Sequence, residues 1–282
     1  MRFNSTVIFI TLSTPSFGSL AFDLPSMATP GSMWGDVRFP SSEQREDRDN
    51  LILEGAIEQG VDLFEIAEKT PVTAFVSLNY TLDSEKFDYN NKTKFGFGFK
   101  IRHFLTDSIV IDMGAKYELD HRLESNDDRD GFQGFTNWFG SWSPELLQYT
   151  DESRQSFPLS YPGFTWGGLR YPGSQDKDEE YDLILEGALE QGIDWVAVEN
   201  VIFNTFFKLK YVVDNQDYAW NNSVTYGVGS KLKIPIANSG IVQFGVQFSQ
   251  NKRLISGRTE DDVIFFLNWS FWWDPGVDIL AI

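Results

Sequence analysis

The chain has no cysteine, only two histidines, and 23 basic against 41 acidic residues. Each shortage excludes something. Without cysteine there is no disulfide framework, no zinc–thiolate site and no cysteine nucleophile. A net charge of −18 leaves no basic face for a phosphate backbone, which excludes nucleic acid as a partner. Past the N-terminal segment no run reaches the roughly 18 apolar residues of a membrane-spanning helix. Disorder is excluded too, because 16% of the residues are aromatic and nine are Trp.

The N-terminus reads as an address. Arg2 precedes the apolar run Val7-Ile8-Phe9-Ile10-Thr11-Leu12, and Ser19-Leu20-Ala21 offers a small-x-small cleavage site. Residues 1–21 are therefore expected to be a secretory signal peptide, the competing reading being a buried first strand. The mature part, 22–282, would be exported without a helical anchor.

That mature part contains one stretch twice. Leu51-Ile52-Leu53-Glu54-Gly55-Ala56-Ile57-Glu58-Gln59-Gly60-Val61-Asp62 returns as Leu183-Ile184-Leu185-Glu186-Gly187-Ala188-Leu189-Glu190-Gln191-Gly192-Ile193-Asp194, with ten of twelve positions identical. Upstream, Trp34-Gly35-Asp36-Val37-Arg38-Phe39-Pro40 matches Trp166-Gly167-Gly168-Leu169-Arg170-Tyr171-Pro172 at the same offset of 132 residues. Two motifs at one offset imply an internal duplication with units of about 131 residues.

Within each unit the apolar segments alternate with period two. Phe95, Phe97, Phe99 and Ile101 are interleaved with Lys94, Gly96, Gly98, Lys100 and Arg102. Ile109, Ile111, Met113, Ala115, Tyr117 and Leu119 are interleaved with Val110, Asp112, Gly114, Lys116, Glu118 and Asp120. Such alternation marks strands with one apolar and one polar face, and no segment sustains a 3.6-residue period. The fold class is all-β.

The connections alternate as well. Short turns are expected near 105–107, 195–200 and 236–239, and longer charged links at 40–49, 83–93, 120–130, 172–182, 214–222 and 252–262. Short periplasmic turns facing longer extracellular loops are a feature of transmembrane barrels. Parity then gives six strands per unit: 33–39, 50–64, 73–83, 93–104, 108–121 and 131–142, then 165–171, 182–196, 203–214, 222–235, 240–251 and 262–273. Repeat one covers 33–142 and repeat two 165–273. A periplasmic linker, 143–163, joins them, and 274–282 form a short C-terminal extension. The expectation is a single antiparallel transmembrane β-barrel of about 12 strands, with ten as the alternative because the Trp34 and Trp166 strands are short.

The aromatics Tyr80, Tyr117, Trp138, Trp142, Trp195, Tyr211, Trp269, Phe271 and Trp273 fall on the apolar parity toward strand ends, where headgroups would meet them. In this architecture the chain resembles bacterial outer-membrane β-barrel, porin-like proteins. Its final strand, ending in aromatics, is similar to their closing strand, although Asp274–Ile282 follow it. The resemblance covers the mature chain, carries no family-specific motif, and implies the bacterial outer membrane as location, with lipid and lipopolysaccharide as neighbours.

Parity also sorts the charges. The interior receives the acidic Glu54, Glu58, Asp62, Glu186, Glu190 and Asp194. It also receives the basic Arg38, Lys100, Arg102, Arg170, Lys208, Lys210, Lys231 and Lys233. Either these columns line a pore that sorts solutes by charge and size, or they pair across strands and fill a narrow barrel. His103 and His121 fall on the lipid-facing parity, no His-x-Ser, Gly-x-Ser-x-Gly or His-Glu-x-x-His motif occurs, and no pair of carboxylates is singled out for hydrolysis. The loop carboxylates Glu43, Glu46, Asp47, Asp49, Asp176, Asp178, Glu179, Glu180 and Asp182 lack a regular calcium-loop spacing and read as solvated loops.

The expected function is an outer-membrane channel for small hydrophilic or charged solutes, a polysaccharide conduit being one form of it, with no catalysis, metal or cofactor. The alternative is a structural or adhesion barrel with a charge-filled lumen and functional loops. A barrel-embedded hydrolase ranks third.

Overall fold

The computed structural model describes residues 28–40, 50–88, 90–142, 158–173, 181–216, 218, 221–236 and 239–273. The expected signal peptide and C-terminal extension, most of the 143–163 linker and the loop carboxylates other than Asp182 lie outside the described residues.

Twelve strands follow one another: β1 (Gly31–Phe39), β2 (Ile52–Ala67), β3 (Thr70–Asp83), β4 (Lys92–Thr106), β5 (Ile109–Arg122), β6 (Asp128–Trp142), β7 (Gly163–Tyr171), β8 (Ile184–Val198), β9 (Val201–Asp214), β10 (Ser223–Ile236), β11 (Gly240–Arg253) and β12 (Thr259–Trp273). Each pairs antiparallel with its neighbours in the chain, and β1 pairs with β12, from Gly31↔Trp273 to Phe39↔Phe265, so the sheet is a closed barrel. Closure leaves no edge with unpaired backbone groups, which is what a strand protein needs in lipid. Both short strands, β1 and β7, are full members of the ring, so the count is twelve and not ten.

The two halves repeat one register. Gly35 faces Gly55 between β1 and β2, and Gly167 faces Gly187 between β7 and β8. Glu58 faces Ser77 as Glu190 faces Lys208. Wall curvature repeats as well: a Cβ on Gly98 would lie 2.2 Å from Ala115 O, and one on Gly229 would lie 2.4 Å from Val246 O. Only a residue without a side chain lets β4 press against β5, and β10 against β11, this closely.

At one end the hairpins turn in two residues, at 68–69, 107–108 and 199–200. The link from β6 to β7, 143–162, joins strands at this end as well, and the remaining longer connections lie at the other end, with two departures from expectation. The β5–β6 and β11–β12 links are only five residues, 123–127 and 254–258, because the polar stretches beside them are strand. A 14-residue strand such as β3 rises roughly 36 Å at about 3.4 Å per residue and a tilt near 40°, more than the ~25 Å apolar band. Strand ends can therefore be polar without leaving the sheet.

The exterior is apolar. Phe95, Phe97, Phe99, Phe132, Val228, Phe248 and Phe265 all point outward and are exposed, Phe132 by 75%. A soluble protein does not leave such a continuous apolar surface to water. Aromatic rings at the two-residue-turn end lie flat over glycines: Trp142 over Gly163 and Trp273 over Gly31. Their indole N–H groups donate to Gln191 Oε1 and Gln59 Oε1, each at 2.9 Å. This satisfies the polar edge of a ring whose body faces the bilayer.

Candidate functional site

The interior is the candidate site, and the pairing register places side chains on it. Directly opposed residues share a face, so the Asp36↔Glu54↔Thr81 row and the Thr73↔Lys100↔Gly114 row point inward together. By the same test all fourteen charged residues named from the sequence face inward.

Inside, the acidic and basic columns engage each other along the wall. Arg38 Nη1 binds Asp36 Oδ2 and Glu54 Oε1, both at 2.6 Å. Lys100 Nζ lies 2.5 Å from Glu58 Oε1 and 2.8 Å from Asp112 Oδ2, and Arg102 Nε lies 2.8 Å from Asp112 Oδ1. In the second half Arg170 pairs with Glu186, Lys231 with Glu190, and Lys233 Nζ with Asp194 Oδ1 at 2.5 Å. Asp194 also accepts from Asn204 Nδ2 at 2.7 Å, whereas Asp62 accepts from the Thr73 hydroxyl at 2.5 Å. The columns are therefore not free charges facing one another across open space. Apart from Arg38–Asp36 within β1, each link joins neighbouring strands or skips one, lying against the barrel wall.

Beneath the skipping links sit aromatic rings. Phe75 on β3 meets Phe135 edge-on at 5.8 Å, and Phe206 on β9 meets Phe266 at 6.0 Å. Lys100 Nζ lies 5.3 Å from the Phe75 centroid and Lys231 Nζ 4.8 Å from that of Phe206. A cation over a ring face is favourable and more so when shielded from water. Phe75 and Phe206 are buried on the polar parity. Reading by parity passes over them, since one apolar residue in a polar column looks like noise.

Other interior residues were readable but unassigned. Lys94 binds Glu118 at 3.0 Å and Asp120 at 3.3 Å, and Lys116 pairs with Glu118. All sit on the even positions of β4 and β5 that alternation already marked as polar.

At the longer-loop end a local clamp recurs. Asn91 Nδ2 donates to Asp83 Oδ1 at 3.0 Å while the Asp83 amide donates to Asn91 Oδ1. Asn222 and Asp214 repeat this in the second half. Asp182 is fully buried, so it is not the solvated loop carboxylate its sequence context suggested. Asp88, outside the spanning strands, accepts from the Ser125 amide at 2.9 Å, and hydrogen bonding to Ser125 holds its carboxyl below the usual carboxylate range.

The histidines lie on the outside. His103 Nδ1 is 2.9 Å from the Thr70 hydroxyl, and His121 Nδ1 is 2.6 Å from Asp128 Oδ1. Among the described residues no group of three or more metal-ligating side chains is gathered for a metal ion.

The chain is thus a twelve-stranded closed β-barrel of the outer-membrane type, apolar outside and charged within. No family model and no curated protein sequence matches it. Among solved structures it is similar to an outer-membrane channel from Pseudomonas putida F1, at TM-score 0.40 and 8% identity over 89% of this chain and 97% of that one. It is also similar to the KdgM porin, at 0.37 and 9% over 85% and 98%. A third is LpxR from Salmonella typhimurium, at 0.39 and 9% over 86% and 100%. At these scores no residue correspondence and no function passes from them to this chain.

Proposed function

We propose that the protein is an outer-membrane channel for small hydrophilic or charged solutes. One observation carries this. Inside a closed barrel, the paired side chains of Glu54, Arg170 and Glu186, toward the longer-loop end, and of Glu58, at mid-strand, remain 28–31% exposed. Inward-facing charged groups from the longer-loop end down to mid-strand, reachable by water and walled off by an apolar exterior, support a hydrated passage. Ion pairs that lie along the wall, as these do, keep the charges off the axis while leaving them able to contact a passing solute.

A saccharide chain is one class of solute compatible with this interior, because Trp34, Trp166 and Phe139 all face inward. Aromatic faces there would offer stacking surfaces between the charged rows. A second reading is favoured by a different observation: Lys100, Lys231, Lys233, Glu190 and Asp194 are buried, and with the Phe75 and Phe206 clusters they narrow the interior. A structural barrel closed by these groups would conduct nothing.

Planar-bilayer recording of the purified protein separates the two. Discrete conductance steps are expected. Glu54→Gln with Glu186→Gln should change ion selectivity, because these carboxylates contact the water path. Silence across a range of salts and voltages would favour the closed structural barrel.

A further inference from the structure

The two halves carry the same wall with one difference in charge. In the first half the inward face of β4 and β5 holds Lys94, Lys116, Glu118 and Asp120, joined by ion pairs. The matching positions in the second half, in equivalent register, are Thr225, Gln247, Ser249 and Asn251, all neutral. On the adjoining strand the change runs the other way. Ser77 and Asn79 of β3 are replaced by Lys208 and Lys210 on β9, which face Gly227 and Thr225 on one side and Glu190 and Ala188 on the other.

These two lysines lack what other inward cations have. Arg38, Lys94, Lys100, Arg102, Lys116, Arg170, Lys231 and Lys233 each make an ion pair with a carboxylate. Lys208 and Lys210 make none among the described residues. Glu190, the carboxylate opposite Lys208, is already held by Lys231. Other charges near the pair belong to β1 and β2: Asp36 acts on Lys208, and both lysines act on Glu54. Those two carboxylates are shared with Arg38. Three cations and two carboxylates leave one positive charge over at this level. Lys210 is flanked by the small Thr225 and Ala188 and is exposed, so a solute has room to approach it.

We propose that Lys208 and Lys210 form an anion-binding step in the barrel interior, taking solutes that carry two anionic oxygen groups, carboxylate or phosphate. Alternate residues of one strand stand about 7 Å apart on the same face, which suits two separated charges better than one. Ammonium groups held in no ion pair bind such oxygens by charge-assisted hydrogen bonds. This deepens the channel reading and rests on it for its meaning in transport.

The test uses the full barrel, with succinate and inorganic phosphate as probes. In planar bilayers, millimolar succinate should reduce the potassium chloride conductance of the wild type. Lys208→Gln/Lys210→Gln should weaken that block by about tenfold per lysine removed. Heat-modifiable gel migration checks that the variant is folded, and Ser77→Lys/Asn79→Lys should add a second blocking step. Stronger block by succinate, with two separated anionic groups, than by inorganic phosphate, with one, is expected, and the reverse order overturns the two-group preference. A conducting wild type that neither anion blocks, or block unchanged in the double Gln variant, overturns the anion step and leaves the channel standing. No conductance at all overturns the channel, and calorimetry on the solubilised barrel then decides the step: heat of succinate or phosphate binding lost in the double Gln variant upholds it, and none in the wild type overturns it.

Discussion

Lys100 Nζ lies 2.5 Å from Glu58 Oε1 although β4 and β2 are not neighbouring strands. β3 runs between them, and the ammonium crosses it above the Phe75 ring, 5.3 Å from the centroid. Lys231 repeats the crossing to Glu190 over Phe206. One lysine per half thus joins three strands from within, pairing with a carboxylate while covering an aromatic ring that would otherwise meet water.

Removing that lysine leaves Glu58 and Asp112 without their shared cation. A buried pair broken from one side costs about 3–5 kcal/mol. Glu58 is 31% exposed and can be rehydrated, so Lys100→Met is expected to cost about 2–3 kcal/mol. Urea unfolding in detergent followed by Trp fluorescence measures it. A loss under about 0.5 kcal/mol would place the link among solvated surface pairs.

Phe75 narrows the same level. Its ring is buried and meets Phe135 edge-on, so Phe75→Ala removes side-chain volume directly from the interior. Two effects should appear together: larger single-channel conductance, and a stability loss of about 3 kcal/mol from lost packing. Conductance equal to wild type in a folded variant would mean that the ring does not border the path.

Protonation at the loop end gives a pH dependence whose sign is fixed. Asp88 ties the β3–β4 loop to the β5–β6 turn through the Ser125 amide, and its carboxyl is held below the usual range by that hydrogen bonding. A depressed folded-state value means that the link is at full strength above the usual carboxylate pKa. It is lost only as pH falls through the lower, folded value. Protection of the Ser125 amide, its exchange rate relative to the intrinsic rate at each pH, should hold through mildly acidic pH and fall below it, and Asp88→Asn should remove the transition.

The strands were legible because lipid and water select opposite residue types on alternate positions, as in Phe95 to Arg102. The inward facing of Glu54, Glu58 and Lys100 followed from the same alternation. Their partnerships did not, since a contact that skips a strand is set by barrel curvature and not by sequence spacing. Phe75 and Phe206 were hidden for a related reason: an apolar residue on the polar face gains its meaning only from the ring and ammonium across the wall. The β5–β6 link was read as too long because strand ends that project past the bilayer, such as Asp128 to Asp130, are as polar as loops.

The exterior offers a test of its own. Trp269 lies over Gly35 and Trp138 over Gly167, at matching places in the two halves. A Cβ on Gly35 would stand 2.1 Å from Trp269 Cζ2, so Gly35→Ala must lift the ring off the sheet. Overpacking of this kind costs about 1–3 kcal/mol. In a Trp269→Ala background the clash is gone, and the same glycine change should be nearly neutral. The two residues therefore couple in a double-mutant cycle by most of the single-mutant loss. Near-UV circular dichroism should report the displaced indole in Gly35→Ala alone. Additive losses would mean that the glycine serves backbone curvature and not the seat of the Trp269 ring, separating the two uses of glycine in this wall.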